Sequence, residues 1–371
     1  CQSGKNAHII LYVVLLRRYR HVNISYFLGA NSKDGFRSLY SGFCAAPGDY
    51  LSVIKGGPGT GKSGFMRKIG AEAERRGLGT EYVLCSGDPD SLDGVYIPAL
   101  RRGWVDGTAP HTADPAHFAV DGDYVNLGAF CSPLDGEHAD NAMRLYGEYK
   151  AEYAAAYGYL ASAAAARTAY LPPLWGAEQL AALRRRLRNI LRRCRERDGA
   201  AVRGGERYLH ALSCKGELWL SGEAKKLCKL VYQLDDGFGG ADAALKIAAE
   251  EAEALGAELI LCRSPLDSGK LDALLVPELD VGFVSAGYAV PGARHIRLDA
   301  AVDAALVQGR RAEIREGRQL EERLTALALE RLARAKALHD TLEEHYKAAM
   351  DFPALTAFTE RYIADVFAGH M

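Results

Sequence analysis

Short apolar runs and longer amphipathic stretches alternate along this chain, and their two periods predict strands and helices in turn. Residues 50–54 (YLSVI) are an apolar run of the length a buried parallel strand takes. Glycine-rich residues 56–61 follow, and the amphipathic stretch 62–76 then predicts a helix. Residues 80–85 (TEYVLC) read as a second strand, and residues 100–107 (LRRGWVDG) as one that ends on Asp106. Upstream, residues 24–40 predict a short strand, a turn at Lys33, Asp34 and Gly35, and then a helix. Longer helical patterns cover residues 139–171, stopped by Pro172 and Pro173, and residues 177–197, with Leu180, Leu183, Leu187, Ile190 and Leu191 on one face. Residues 300–350 place Glu, Arg and Lys at helical spacing, Asp351, Phe352 and Pro353 break the pattern, and a last helix reaches residue 367.

A chain of 371 residues exceeds what one compact core serves, so two domains are expected. With 46 basic and 47 acidic residues the net charge is −1, which makes nucleic acid an unlikely partner. The eight cysteines (Cys1, Cys44, Cys85, Cys131, Cys194, Cys214, Cys228, Cys262) show neither C-x-x-C nor metal-ligand spacing and read as reduced thiols of a cytoplasmic protein. Residues 9–16 are apolar, but eight residues fall far short of the roughly 20 that span a bilayer. Arg17, Arg18 and Arg20 stand where a signal peptide has small residues, so residues 1–22 read as a disordered or non-native extension and no transmembrane segment is expected.

Between the strand at 50–54 and the helix from 62 lies G-x-x-x-x-G-K-S, residues 56–63. Glycines let successive N–H groups converge on one phosphate, and the helix directs its positive end at the same point. Gly57, Pro58, Gly59, Thr60, Gly61, Lys62, Ser63 and Gly64 are therefore the expected phosphate-binding residues. Lys62 reaches the β- and γ-phosphates in this reading, Ser63 ligates Mg²⁺, and Asp106 supplies the second Mg²⁺-side carboxylate. The loop 86–94 carries Asp88, Asp90 and Asp93, which serve either the turn itself or, with Asp93 as the catalytic candidate, the orientation of an attacking water or hydroxyl. His111 is a weaker candidate near the phosphates. No Glu follows Asp106, and neither N-K-x-D nor L-S-G-G-Q occurs, which argues against a GTPase and a transporter ATPase.

The second half repeats the first. Shifting residues 56–105 by 179 positions brings twelve identities into line, among them Gly61/Gly240, Glu72/Glu251, Asp88/Asp267, Asp93/Asp272 and Gly103/Gly282. YFLGANSKDG (26–35) likewise resembles YLHALSCKG (208–216). In the second copy Lys62 is matched by Ala241, Ser63 by Asp242 and Asp106 by Ser285, while Asp235, Asp236 and Asp242 crowd the phosphate position. Like charges in one cradle repel, so the second copy is expected not to bind a triphosphate. Eight arginines between 184 and 197 read as a solvated face over the leucine stripe, with a lid reaching the γ-phosphate or a basic nucleic-acid surface as alternatives.

IKGGPGTGKS (54–63), DPDSLDGVYIPAL (88–100), DGTAPH (106–111) and AMDF (349–352) together resemble an uncharacterised bacterial family of duplicated P-loop ATPase-like proteins, over roughly residues 24–367. The resemblance implies a cytoplasmic ATP-binding protein with two P-loop-type units, although the second unit of the family often keeps its own loop and this chain departs from that at 235–242. The expected fold is α/β and P-loop NTPase-like, with two tandem units of mainly parallel sheet plus helical insertions. The expected domains are the extension 1–22, a nucleotide-binding unit 23–138, a lid-like helical insertion 139–199, a degenerate repeat 200–299 and a helical region 300–371. ATP and Mg²⁺ are the expected cofactors. An ATPase leads, followed by a small-molecule or nucleotide kinase and a nucleotide sensor with little turnover.

Overall fold

The computed structural model describes residues 22–109, 114–171, 175–197, 199, 203–302 and 304–368. Of the expectations above, those on residues 1–21, on His111 and on Pro172 and Pro173 fall outside the described residues. The first half contributes strands β1 (Ile24–Phe27), β2 (Gly29–Ser32), β3 (Gly35–Ser38), β4 (Tyr50–Lys55), β5 (Glu81–Leu84), β6 (Leu92–Ile97), β7 (Arg102–Asp106) and β8 (Gly122–Asn126). Helix α1 (Lys62–Arg75) follows β4, and α2 (Gly136–Tyr170) and α3 (Ala177–Cys194) follow β8. The second half contributes β9 (Gly205–Arg207), β10 (His210–Ser213), β11 (Gly216–Trp219), α4 (Ser221–Leu227), β12 (Leu230–Asp235) and α5 (Ala241–Glu253). It continues with β13 (Ile260–Arg263), β14 (Leu271–Val276), β15 (Val281–Ser285), β16 (Arg294–Arg297), α6 (Ala304–Gly309), α7 (Arg311–Ala348) and α8 (Phe352–Phe367).

One six-stranded sheet runs β1-β5-β6-β7-β4-β8 and the other β9-β13-β14-β15-β12-β16, so the sequence repeat is a repeat of topology, strand for strand. In both sheets the fourth to sixth strands pair in parallel, whereas β6 and β14 oppose both neighbours. Short connections explain the exception, since two strands joined by a tight turn must run antiparallel. Ser91 N–H closes the β5–β6 turn on the Asp88 carbonyl at 2.8 Å, and Leu100 N–H closes the next on the Ile97 carbonyl at 3.0 Å. The stretch after Gly35 is strand β3 rather than a helix. Ser32 Oγ accepts from Asp34 N–H at 3.1 Å and donates to the Gly35 carbonyl at 2.7 Å, and this tie folds β2 and β3 into a hairpin.

The chain divides into two compact units that differ from the domains expected from sequence. The first unit, which holds the loop 56–61, comprises described residues within 23–162, 211–218 and 323–368, and the second unit those within 163–210 and 219–322. The stretches 139–199 and 300–371 are thus not separate helical regions, because α2 and α7 each contribute residues to both units. Apolar burial accounts for this. In the first unit, Phe65, Met66 and Ile69 of α1 pack with Trp104 of β7 and with Leu355 and Phe367 of α8. Trp104 is fully buried, and its indole N–H donates to Tyr362 Oη at 2.9 Å. In the second unit, Leu183, Leu187 and Leu191 of α3 join Leu245, Ala248 and Ala252 of α5 in one core. Among the described residues no helix is long and apolar enough to cross a membrane, and none of the seven described cysteines forms a disulfide.

Candidate phosphate-binding site

Strand β4 delivers the chain into a loop that turns left-handed at Gly59 (φ 69°) and Gly61 (φ 86°) before α1 begins at Lys62. Only glycine adopts such angles without strain, and at position 59 a Cβ would stand 2.9 Å from the Glu343 carbonyl oxygen. Lys62 is nine-tenths buried and donates to the carbonyls of Gly56 at 3.0 Å and Gly57 at 2.7 Å. An ammonium has three donors, so this tie shapes the loop and leaves one N–H. Asp106 Oδ2 lies 3.7 Å from Lys62 Nζ because β7 pairs with β4 in a register that sets Asp106 beside Ile54. Asp106 Oδ1 accepts from the Thr108 N–H at 2.8 Å and from the Thr108 hydroxyl. Ser63 Oγ accepts from Leu92 N–H at 2.9 Å. Among the described residues no acceptor takes the N–H groups of Gly59, Gly61, Lys62 or Ser63.

These groups border a cavity of about 1060 Å³. Pro58 through Gly64 line it, with Asp88, Asp90, Asp93 and Asp106. Gly57 does not. It packs against the Tyr346 ring and offers its carbonyl to Lys62 and Thr60. Each acid of the 86–94 segment has a partner: Asp88 the Lys336 ammonium at 3.4 Å, Asp90 that of Lys215, and Asp93 the Tyr40 hydroxyl at 2.9 Å. Asp90 is held below the ordinary carboxylate range by its hydrogen bond from Lys215, while burial and then Asp93 push the Tyr40 phenol up. Asp93, the sequence candidate for catalysis, is 4% exposed in β6, and its carboxylate ties that strand to Tyr40.

The remaining walls come from residues that the sequence reading did not single out. Tyr149, Tyr153 and Tyr157 of α2 face the cavity as a ladder with ring centroids 5.7 and 6.0 Å apart. Lys336, His339, Glu343 and Lys347 of α7 line it from one helical face. Burial depresses the His339 imidazole; Glu343 opposes that, and Lys336 adds to it. The signal was present in sequence as spacings of three and four residues, but an aromatic or charged stripe at that spacing is usually core or solvated face.

The second copy treats the equivalent loop differently. Five residues separate β12 from α5 where six separate β4 from α1, so the one-residue slip in the repeat falls in this loop. The Asp236 carboxylate accepts from the N–H groups of Phe238 at 3.1 Å, Gly240 at 2.9 Å and Ala241 at 2.8 Å. Asp299 takes Gly237 N–H at 2.7 Å. An internal carboxylate thus occupies the position of an anion in the cradle. Asp242 keeps the task of Ser63, accepting from Leu271 N–H at 2.9 Å as Ser63 does from Leu92. The arginines of α3 do not line the cavity beside Lys62; Arg184 and Arg188 instead pair with Glu251 of α5 at 3.0 and 2.6 Å. Comparison with protein-family models, with curated proteins and with solved structures finds no match to this chain.

Proposed function

We propose that the phosphate-loop unit binds Mg·ATP and transfers its γ-phosphoryl group, to water in the simplest case. The observation that carries this reading is the contrast between the two loops. One has its amides answered by Asp236, and the other has amides without a protein acceptor, lining a cavity beside Lys62. A triphosphate supplies the missing acceptors, and the remaining Lys62 donor meets its charge. Ser63 and Asp106 are hard oxygen donors that suit Mg²⁺, which binds through one or two such groups together with substrate phosphates. Bound there, the ion would neutralise charge on the phosphates. Asp106 would act through a metal-bound water.

Transfer to a small molecule is the second reading, and the size of the cavity favours it. At about 1060 Å³ it stands at the upper end of the ~300–1,000 Å³ usual for a single drug-sized ligand. The arginine-rich lid expected for a kinase has no support, because the α3 leucines are buried in the second unit's core.

Titration with a fluorescent ATP analogue, followed by phosphate-release and ADP assays, tests the proposal. Lys62→Ala is expected to weaken nucleotide binding or lower turnover by roughly 10²–10³, the cost of losing one charged donor to transferring phosphate. Unaltered affinity and activity in that variant would remove the phosphate loop from the function.

A further inference from the structure

The cavity extends well beyond the phosphate loop, and its far wall has a chemistry of its own. Three tyrosines on one face of α2 present rings rather than a polar surface, and burial keeps the Tyr153 and Tyr149 phenols neutral. Asn31 borders the same end, 1% exposed, donating to the carbonyls of Ser86 at 3.3 Å and Leu212 at 2.8 Å and accepting from the Tyr157 hydroxyl at 3.2 Å. Tyrosine faces stack flat rings whatever their substituents, and the polar rim meets the heteroatoms of the ring edge. Between this wall and the loop stands His339. Its ring lies 5.8 Å from that of Tyr149, and Nδ1 lies 3.5 Å from Glu343 Oε1. Glu343 is itself fixed at the loop, where its carbonyl oxygen abuts Gly59 and its carboxylate holds Lys347 at 3.1 Å. A carboxylate on Nδ1 orients the ring and leaves Nε2 as the basic atom.

We propose that the tyrosine-walled end of the cavity seats a nucleoside or similar ring-bearing alcohol, and that His339, positioned by Glu343, takes its hydroxyl proton during phosphoryl transfer. This rests on the reading of the loop as an ATP site. In the step, the acceptor oxygen forms a bond to the γ-phosphorus while the bond from that phosphorus to the bridging oxygen breaks. The electron pair leaves with the nucleoside diphosphate, and the acceptor proton moves to His339 Nε2. Lys336, Asp340 and Glu343 on α7, Lys62 on α1 and the Tyr149 ring on α2 surround the imidazole. Burial with the two lysines holds it neutral at neutral pH, as a base must be.

The experiment incubates the full chain with Mg·ATP and adenosine, guanosine, cytidine or uridine, with inositol as a ringed polyol that cannot stack. ATP binding is measured first, so a wild-type protein that fails to bind ATP sinks the loop assignment itself. The expected result is ADP matched by nucleoside monophosphate, with little free phosphate, for at least one nucleoside and not for inositol. Free phosphate released equally with and without nucleosides overturns the inference while leaving the ATP site intact. Tyr153→Ala should raise the acceptor KM about tenfold or more with ATP affinity held within threefold, and Tyr153→Phe, which keeps the ring, should change KM little. Loss of ATP affinity in Tyr153→Ala would assign the wall to the donor's base instead. His339→Gln should lower kcat about 10²-fold or more and abolish the acid limb of the pH profile, which in the wild type lies below the ordinary imidazole range. Glu343→Gln removes an anion that favours the imidazolium, so the acid limb should move to lower pH. A profile unmoved by either substitution overturns the role of His339.

Discussion

At the scale of single residues, the two loops form a matched pair in which one carboxylate decides the outcome. Asp236 spends both oxygens on three N–H groups, and charge-assisted bonds of this kind are worth about 1.5–3 kcal/mol when the alternative is an unmet amide. Asp236→Ala should therefore destabilise the second unit by about 1–3 kcal/mol, read from denaturant midpoints. It should not create a nucleotide site, because Ala241 and Asp242 stand where Lys62 and Ser63 would be needed. Stability equal to the wild type would mean that water meets those amides as well as Asp236 does. From sequence, three acids in the cradle were legible as a repulsive cluster. Their placement was not, because whether Asp236 turns inward or outward depends on the loop being one residue shorter, which an ungapped comparison hides.

At the scale of elements, α3 shows how a helix is claimed by its packing. Its leucine period predicted one buried face, and Leu183, Leu187 and Leu191 form it. The destination of the arginines was not legible, since partners 60 or so residues away are invisible to local spacing. Arg188 first, then Arg184, hold Glu251 at a pKa of about 2, against an ordinary value of 4.5, while burial opposes them. A depressed carboxylate pKa contributes stability that is fully present above pH 4.5 and fades as pH falls toward 2. Thermal melts of the second unit should show that decline, and Glu251→Gln should be less stable at neutral pH with a flatter dependence between pH 4.5 and 2. An identical slope in the variant would place the pH sensitivity elsewhere. The same local reading made residues 36–40 helical. It failed because the hydrogen bonds of Ser32 fold β2 and β3 into a hairpin without altering the hydrophobic period.

At the scale of the whole molecule, duplication of one six-stranded topology with one loop whose amides lack an internal acceptor predicts where a ligand is felt. The β4–loop–α1 unit followed from sequence because short-range pattern fixes it, and the grouping of Lys62 with Asp106 followed from their joint loss in the second copy. The cavity's far walls did not, since α2 and α7 converge on the loop from positions about 90 and 280 residues downstream of it. A ligand that binds only the native state at a hundred times its Kd stabilises that state by about 2.7 kcal/mol, roughly a hundredfold in opening. Hydrogen exchange with saturating Mg·ATP should accordingly slow at residues 57–64, whose amides acquire acceptors, and in β4 beneath them. Residues 236–242 should exchange as before, because Asp236 already occupies their donors and nothing displaces it. Protection at 236–242 without protection at 57–64 would reverse the assignment of the two copies. Protection at both would mean that Asp236 yields its place to phosphate, which the loss of a lysine and the presence of Asp235 and Asp242 beside it make unfavourable.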